Sequence, residues 1–532
     1  MCRRLVSALV LLQLLPAAVA GDWTNAGGNA GRNGQSAEIG PAALLAPAWT
    51  GSRTSIIAWQ PVTAGSRVFM VRQSAFVPSG VPNESPVVCH DLDTGAELWA
   101  FNTPYDPGDW TTWVAGCSHG LVYCSRSGNG GSVAAKLYAL DQQTGAIAWV
   151  SVDTQKAGAY DGVVFAPDGD PIVAWHQKIM RIDADSGATV WSANRVCSVS
   201  GSCGVALHDG ATYAADAAVG GHVVKRFDLE TGAFLYESPV MTGFTLQNTP
   251  FVAPDGTIYL SRTQDNLLTD FFYAFTDTGA ALVQTWSVTA GWSTSSEFAV
   301  GLDGSPYMLG PGKVLQRLDP ATGAVTATSV ALSTLAGNIT PRLAVDAAGK
   351  VYAGNGGFSD GRVYCFTADL DLLWSVAVSS VNIGAPCLGQ DGTLVVAGVG
   401  TDVRAYRSGL PWADLQLGLA GAAGVPELAG EGTLAPGSPV ALTLAEAAPS
   451  AATVLVVGAS PFFAPFKGGT MVPNPDLLLA PLATDAAGAL SLATTWPPGL
   501  PTGTALLLQD WIIDAAAPHG WAASNGLQAT VP

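Results

Sequence analysis

Basic residues are scarce in this chain. Its 532 residues include 23 Lys and Arg against 41 Asp and Glu. A surface with this excess of negative charge repels phosphate backbones and anionic lipid headgroups. We therefore expect no nucleic-acid binding.

Long hydrophobic runs are lacking beyond the first twenty residues, so we expect no membrane span. Residues 1–20 have the form of a secretory signal peptide, with two arginines, a mostly apolar run over 5–15 and the small-x-small ending Ala18-Val19-Ala20. The pattern predicts cleavage before Gly21. A lipoprotein would carry Cys directly after the apolar run, whereas Cys2 precedes it. We expect a secreted or periplasmic mature chain without a lipid anchor.

Cysteines are few, and the absence of a Cys-x-x-Cys pair or a Cys/His cluster argues against a zinc site. Seven of the eight remain after cleavage, so at least one is free or pairs between chains. Cys197 and Cys203 are the pair most favoured for a disulfide, because only five residues separate them in a Ser- and Gly-containing loop. Cys89 and Cys365 take the place of Ala139 in another repeat, so we expect both to pack as small apolar side chains.

One phrase of about ten residues recurs along the chain. It reads HDLDTGAELW (90–99), LDQQTGAIAW (140–149), IDADSGATVW (182–191), FDLETGAFLY (227–236) and LDPATGAVTA (318–327), with degenerate copies at 275–286 and 366–374. The marker positions 95, 145, 187, 232, 279, 323 and 371 lie 42–50 residues apart. Such a period indicates a repeat architecture.

A second phrase lies between many of these copies. It has an apolar run, an Asp-Gly or Ala-Gly turn and another apolar run, as at 249–260, 299–309, 342–354 and 385–398. This pattern is a β-hairpin signal. Together with the strands on either side of the Asp-x-x-Thr-Gly turn, it provides four short antiparallel strands per unit, which is typical of a β-propeller blade.

The repeated phrase has a direct physical interpretation. Its Asp and Thr side chains can bond backbone N–H groups in the turn, its Gly supplies a positive φ, and the next strand carries Trp to a blade face, where it wedges against the neighbouring blade. The structural repeat residues are Asp91, Thr94, Gly95, Trp99, Asp141, Thr144, Gly145, Trp149, Asp183, Gly187, Trp191, Asp228, Thr231 and Gly232.

The ends of the repeat region determine the expected number of blades. After the seventh copy come a hairpin around 385–397 and a third strand at 402–406, but no fourth strand before Pro411. An orphan strand at 46–50, carrying Trp49, can complete this last blade and leave no sheet edge exposed. We therefore predict an all-β fold with an eight-bladed β-propeller over residues 21–410.

The motif Ala-x-Asp-x-x-Thr-Gly-x-x-x-Trp, best matched by Ala139 to Trp149, resembles the repeats of the pyrroloquinoline-quinone (PQQ)-like eight-bladed propellers. The opening Asp22-Trp23 with Gly34, ahead of Trp49, is also similar to the start of that family. The resemblance implies the propeller fold. It leaves two kinds of activity open, because the family joins quinoprotein dehydrogenases with non-catalytic propellers of outer-membrane assembly.

The dehydrogenase alternative would place PQQ in the central channel with a Ca²⁺ that polarises it and an Asp base, as the resemblance implies. Enzymes of the family carry a vicinal Cys-Cys disulfide over the cofactor, and this chain has no adjacent cysteines. Its acidic turns, at 91–95, 167–170 and 183–187, are too short to supply the six to eight oxygens that Ca²⁺ prefers. We expect no catalytic residue, no metal and no cofactor, with PQQ and Ca²⁺ as the alternative.

Other patterns that resemble functional sites favour turns or packing. The Gly-x-Ser-x-Gly segments at 116–120 and 357–361 lead into strands, where a nucleophile elbow needs a helix. The six histidines never fall at ligand spacing on one strand. Aromatic residues near turns can form recognition surfaces, although packing is the favoured interpretation for Trp110, Trp113, Trp292, Phe462, Phe463 and Phe466.

The composition changes from Pro411 onward, where the last 122 residues contain one Lys and no Arg or Cys. A Gly-containing stretch indicates a linker over 411–424. Strand candidates at 438–444, 451–458, 489–495, 504–513 and 521–530 predict a small β-sandwich over 425–532. Its segments at 465–476, 491–503, 506–514 and 520–532 resemble a C-terminal module of secreted multidomain bacterial proteins.

The sequence thus favours a secreted or periplasmic, non-catalytic propeller that acts as a protein-binding or scaffold module. Its expected partners are proteins or envelope polysaccharide. The C-terminal module is expected to act as a tether or sorting element.

Overall fold

The chain forms two compact units in this computed structural model, one ending at Arg407 and one beginning at Ser408. The structure describes residues 21–531 except 43–46, 77–79, 82–83, 107–108, 110, 128–133, 156–161, 176, 197–203, 243–248, 264–269, 292–297, 333–341, 357–359, 381–383, 385, 408–411, 433, 435–436 and 502–503. The predicted signal peptide, the Cys197–Cys203 pair, Trp110 and Trp292 lie outside the described residues. Within those ranges no helix is long and apolar enough to cross a membrane.

The described residues of the first unit form eight antiparallel sheets, here numbered in chain order. Sheet 1 has strands Val62–Ala64, Arg67–Val71, Val87–Asp91 and Glu97–Phe101; sheet 2 has Thr111–Ser118, Leu121–Ser127, Tyr138–Asp141 and Ile147–Val150; sheet 3 has Val164–Phe165, Pro171–Trp175, Lys178–Ile182 and Thr189–Asn194; sheet 4 has Val205–His208, Ala211–Ala218, Gly221–Asp228 and Phe234–Glu237, with Met241–Thr242 paired to its third strand.

The remaining four sheets repeat this order. Sheet 5 has Phe251–Val252, Ile258–Thr263, Asp270–Asp277 and Leu282–Ala290; sheet 6 has Ala299–Val300, Pro306–Gly310, Val314–Leu318 and Val325–Ala331; sheet 7 has Arg342–Val345, Val351–Gly354, Arg362–Phe366 and Leu372–Ala377; sheet 8 has Cys387–Leu388, Leu394–Ala397, Val403–Tyr406 and Trp49–Thr50. A short 3₁₀ turn, Gln390–Gly392, lies within the first hairpin of sheet 8. The predicted all-β propeller fold is confirmed.

Burial follows strand position within each sheet. First strands such as Arg342–Val345 and second strands such as Pro171–Trp175 are buried along their whole length, as near-continuous apolar runs predict. The fourth strands alternate instead, and in Thr189–Asn194 Trp191 is the buried residue. Sheets 1–7 also have a register shift between their third and fourth strands, just before the repeated turn. The extra residue lies near the start of the fourth strand, at Leu98 in sheet 1 and Val190 in sheet 3, so each fourth strand carries a β-bulge just after the turn.

The sheets contact one another in sequence around a ring. The indole Nε1 of Trp99 donates to Gln142 O of sheet 2 (3.1 Å), and Trp149, Trp191 and Trp286 make the equivalent bond to the following sheet. Tyrosines serve at two other junctions, where Tyr236 donates to Asp277 of sheet 5 (2.5 Å) and Tyr307 donates to Ala368 O of sheet 7 (2.8 Å). The junction between sheets 7 and 8 brings the Trp374 and Tyr406 rings to 6.4 Å.

The ring is completed by a strand from the beginning of the chain. Trp49 pairs with Ala405 and Thr50 with Arg404, so residues 49–50 form the fourth strand of sheet 8. Trp49 Nε1 then donates to Leu92 O of sheet 1 at 2.7 Å. Hydrogen bonds between the two ends of the propeller therefore close it, and the edge strand Val403–Tyr406 is covered.

The described residues of the second unit form three groups of strands. One sheet has Trp412–Gln416, Gly526–Thr530, Ala505–Ile513, Ala452–Gly458 and Leu477–Ala483 in spatial order, with Trp521–Ala523 beside Ala505–Ile513; a second has Glu427–Glu431, Pro439–Ala445 and Leu490–Thr495; a hairpin has Pro461–Phe466 and Gly469–Pro473. A 3₁₀ turn spans Pro518–Gly520. Leu428 and Leu444 of the three-stranded sheet share one core with Leu455, Leu508 and Ile512 of the larger sheet.

Part of the segment predicted as a linker, residues 411–424, takes part in strand pairing. Residues 412–416 form a strand whose Trp412 pairs with Ala529, and Leu419 bridges to Ala523. Trp412 packs over Gly430 and lies edge-on to Trp496, with ring centroids 6.2 Å apart. The segment is structured because the C-terminal strand offers it a free hydrogen-bonding edge and its Trp buries against the core.

Candidate functional site

Residues 21–42, which we call the axial segment, run past the inner strands of the propeller. Four main-chain bonds mark its path: Thr63 N of sheet 1 donates to Trp23 O, Cys117 N of sheet 2 to Thr24 O, Leu207 N of sheet 4 to Ala30 O and Val252 N of sheet 5 to Gly31 O, all at 2.7–2.9 Å. It continues across sheets 6 and 7, where Val300 N donates to Asn33 O and Val345 N to Gly34 O. The segment thus meets the sheets in their order around the ring.

The axial segment also contacts sheets 3 and 8, to which those main-chain bonds do not run. Arg32 is buried, and its guanidinium donates to Val205 O at 2.7 Å and to Gly162 O, just before sheet 3, at 3.3 Å. Near sheet 8, a Cβ on Gly392 would lie 1.9 Å from Ile39 O, so the backbones touch there. Contacts with all eight sheets place this segment at the centre of the ring, across one end of the channel that inner strands surround in a propeller.

Glycines allow the axial segment to approach the sheets this closely. A Cβ on Gly31 would lie 2.8 Å from Val252 O, and one on Gly34, which has φ +71°, would lie 2.8 Å from Ala299 Cβ. The sequence GGNAGRNG over 27–34 is therefore explained by backbone packing rather than by a flexible loop. The Gly-rich composition was visible in the sequence, but nothing local showed what it packs against.

Replacing Gly34 with alanine tests the tight fit of the axial segment. Gly210 provides a matched control because it also has φ +71° but has nothing within 4 Å of an added Cβ. We expect Gly210→Ala to lower the free energy of unfolding by about 1 kcal/mol from left-handed strain alone. Gly34→Ala adds overpacking to the same strain and should lower the free energy of unfolding by about 2–3 kcal/mol in total. Equal losses in urea unfolding would contradict the close packing of the segment.

A pocket of about 850 Å³ lies beside the start of the axial segment. Its lining includes the polar residues Asp22, Gln35, Arg67, His119 and Gln143. Gly65 N donates to Asp22 Oδ1 at 2.8 Å, and burial raises the pKa of this carboxyl group above its ordinary value. His119 lies at the tip of the first hairpin of sheet 2 with φ +50°, and its Nδ1 is 2.7 Å from Ser118 Oγ.

The repeat residues form a network of bonds in each turn. Asp141 Oδ1 accepts from Thr144 N and Thr144 Oγ1, both at 2.8 Å. Asp91 with Thr94, Asp183 with Ser186 and Asp228 with Thr231 repeat this arrangement. The hydroxyl of Thr144 is the largest cause of a lowered pKa at Asp141, because its bond favours the ionised carboxylate.

Each repeat glycine lies under a tryptophan of the preceding sheet. A Cβ on Gly145 would lie 2.7 Å from the Trp99 ring, and Gly95, Gly187 and Gly232 are covered in the same way by Trp49, Trp149 and Trp191. All four glycines have φ between +68° and +72°. The repeat residues therefore stabilise turns and blade junctions and do not converge on a common site.

Several candidate side chains lie in packed surroundings. Cys89 and Cys365 are both buried, and burial raises the pKa of each thiol to about 12. Trp113, interpreted from the sequence as lying near a turn, is a buried residue of the strand Thr111–Ser118. By contrast, Phe462, Phe463 and Phe466 are exposed on the hairpin of the second unit.

Three features of the described residues bear on the PQQ and Ca²⁺ of the dehydrogenase alternative. One end of the central channel is taken by the axial segment, whose backbone groups are bonded to the inner strands. The described parts of the chain contain no group of three His, Cys, Asp or Glu side chains able to hold a metal ion. Arg126, a buried cation, is paired with Asp106 and Asp109 at 2.6 Å rather than free to meet the quinone carboxylates. We derive no catalytic step through this cofactor.

Comparison with known proteins agrees with the repeat motif. Residues 83–299 match the family model described as PQQ_2: Outer membrane protein assembly factor BamB. These repeats are PQQ-like. The matched segment contains four copies of the repeated phrase, at 90–99, 140–149, 182–191 and 227–236, and the degenerate copy at 275–286.

Several solved structures also align with this chain. BamB from Moraxella catarrhalis is 17% identical, with 68% of this chain and 98% of that chain covered and a TM-score of 0.45. Quinohemoprotein alcohol dehydrogenase from Comamonas testosteroni is 14% identical over 71% and 77%, with a TM-score of 0.47. The Dos1 propeller is 12% identical over 66% and 94%, with a TM-score of 0.44. No curated protein shows significant sequence similarity to the chain.

Proposed function

We propose that this protein is a secreted or periplasmic, non-catalytic propeller that binds protein partners as a scaffold. The observation that carries this proposal is the axial segment, which commits the backbone groups at one end of the channel to internal hydrogen bonds. A propeller whose sheets are all bonded to one central segment is a rigid body, and its loops and rim are available for binding. The match to a model named for an outer membrane protein assembly factor supports a protein partner in the cell envelope.

The rim of the propeller offers a surface suited to such binding. Its fourth strands expose apolar side chains, including Leu98 (44%), Ile147 (49%), Val190 (50%) and Phe234 (52%). Apolar residues on exposed strand edges are features that partner proteins can cover. A photo-crosslinking amino acid at Leu98 or Val190, introduced in the native host, should therefore give a discrete protein adduct. The exposed hairpin tip at Val219 is the comparison position; adducts at none of the three sites would contradict protein binding.

The dehydrogenase alternative has a direct test with added cofactor. We expect PQQ and Ca²⁺ to leave the melting temperature of the purified mature chain unchanged, because the axial segment already fills part of the channel. We also expect no dye-linked oxidation of alcohols or sugars. A quinoprotein dehydrogenase reconstituted in parallel is the positive control. A rise of several degrees together with turnover would replace the scaffold proposal by quinone catalysis.

We further propose that the second unit acts as a tether or sorting element, with envelope polysaccharide as an alternative partner. It exposes Phe462, Phe463, Leu477 and Leu478, each at least half exposed. Such a concentration of apolar side chains is a feature of interaction sites. Fractionation of cells that produce the full chain or a chain ending at Arg407 tests this role. If the shortened chain has the same localisation as the full chain, the tether or sorting role is contradicted.

A further inference from the structure

Gly21, the residue that follows the predicted cleavage position, lies beside a carboxylate. Its backbone N is 3.0 Å from Glu38 Oε1. A Cβ on Gly21 would be 3.0 Å from Glu38 Cγ and 3.2 Å from Ser36 Oγ, so the backbone is held closely by the later part of the axial segment. Gly21 and Ser36 both line the pocket of about 850 Å³ described above.

The charges around Gly21 favour an additional cation. Burial is the main reason that the pKa of Asp22 is raised, and the negative charge of Glu38 contributes in the same direction. A carboxylate whose pKa is raised by a neighbouring negative charge is stabilised by a positive charge placed close to both groups. A main-chain amide at Gly21 donates one hydrogen bond to Glu38 and supplies no such charge.

The position of Glu38 gives this contact a role in the ring. Trp23 is bonded to Thr63 of sheet 1, whereas Glu38 O accepts from Ala347 N, next to the first strand of sheet 7. From Trp23 at sheet 1, the axial segment passes the intervening sheets and reaches sheet 7 at Glu38. A bond between residues 21 and 38 therefore joins the start of the axial segment to a residue near its end and closes a loop of residues 21–38.

We propose that removal of residues 1–20 creates the charge that locks this loop. Signal peptidase hydrolyses the Ala20–Gly21 amide with one water, which leaves a carboxylate on Ala20 of the released peptide and an α-ammonium group on Gly21. The ammonium forms an ion pair with Glu38, so cleavage stabilises the folded propeller as well as releasing it from residues 1–20. The inference rests on the proposed secretion of the chain.

The test compares two N-termini in a double-mutant cycle. One form begins at Gly21 with a free α-amino group, and the other retains Val19 and Ala20; each is made with and without Glu38→Gln. We expect the Gly21 form to melt about 1–3 °C above the extended form. Glu38→Gln should abolish this difference. Asp209→Asn removes an exposed acid from a hairpin tip of sheet 4 and should leave the difference intact.

A second measurement separates the ion pair from simple crowding by the two extra residues. The pKa of the Gly21 α-amino group, followed by NMR after isotopic methylation, should lie above that of an ordinary α-amino group and fall in Glu38→Gln. Equal melting temperatures, or a difference that survives Glu38→Gln with an unshifted amine, would overturn the ion pair. N-terminal sequencing of exported protein tests the cleavage separately, since a start other than Gly21 would overturn the processing step alone.

Discussion

Replacing Trp49 with alanine is expected to lower the free energy of unfolding of the propeller by about 3–5 kcal/mol, the usual cost of truncating a buried large aromatic side chain. Trp49 is only 7% exposed, packs over Gly95 and donates to Leu92 O at 2.7 Å. The strand that carries it has two residues, so the indole supplies much of what holds this strand in sheet 8. Its loss should also uncover the edge strand Val403–Tyr406 and promote self-association.

Trp191→Ala is the matched control for ring closure. Trp191 is 9% exposed, packs over Gly232 and donates to Leu229 O at 3.0 Å, but it belongs to a sheet formed from one continuous stretch of chain. We expect a similar loss of stability without self-association. Urea unfolding and light scattering after size-exclusion chromatography measure the two effects. A Trp49→Ala protein as stable as the wild type would contradict closure by the N-terminal strand.

Replacing Asp510 with asparagine is expected to stabilise the second unit at neutral and alkaline pH. Asp510 is 1% exposed, and its Oδ1 has no hydrogen-bond partner among the described residues. Burial raises the pKa of this carboxyl group to about 7 in the folded chain, whereas in the unfolded chain it ionises near 4. The folded state thus binds the proton more tightly between those values. Stability must fall as pH rises from about 4 to about 7, by up to about 4 kcal/mol, and then level off.

The difference in the free energy of unfolding between the mutant and the wild type isolates this effect from those of other titrating groups. For Asp510→Asn, it should be near zero at pH 4.5 and greatest at pH 8, as measured by calorimetry on the full chain. Glu431→Gln, at an exposed position of the same unit, should show no such dependence. A difference that does not change with pH would show that Asp510 is not a buried, protonated acid.

The repeated turn could be predicted from the sequence because its bonds are local. Asp141, Thr144 and Gly145 lie within five residues of one another, and their side-chain bonds and positive φ follow from residue type and order. The completing strand at Trp49 was also predictable, because seven copies left one strand missing. Where Trp is replaced, as at Tyr236, the sequence alone did not show that Asp277 would become its partner.

Strands of the second unit were harder to predict. The segment 477–483 reads LLLAPLA, and Pro481 argues against a central strand, but this strand lies at the edge of its sheet, where proline is tolerated. The hairpin over 461–473 turns at Lys467 and Gly468, which both adopt the positive φ of a two-residue turn. Its prolines and exposed aromatics concealed the strand pattern.

By itself, the sequence determined the repeat, the turn chemistry and the all-β propeller class, because a period of 42–50 residues and bonds spanning a few residues are written directly in residue order. Only the tertiary structure decided what the N-terminal glycines are for. Their partners, such as Val252 and Val345, lie more than 200 residues away and bond through backbone atoms that every residue has. A backbone contact of that range leaves no mark in side-chain identity except the absence of a Cβ where the chains touch.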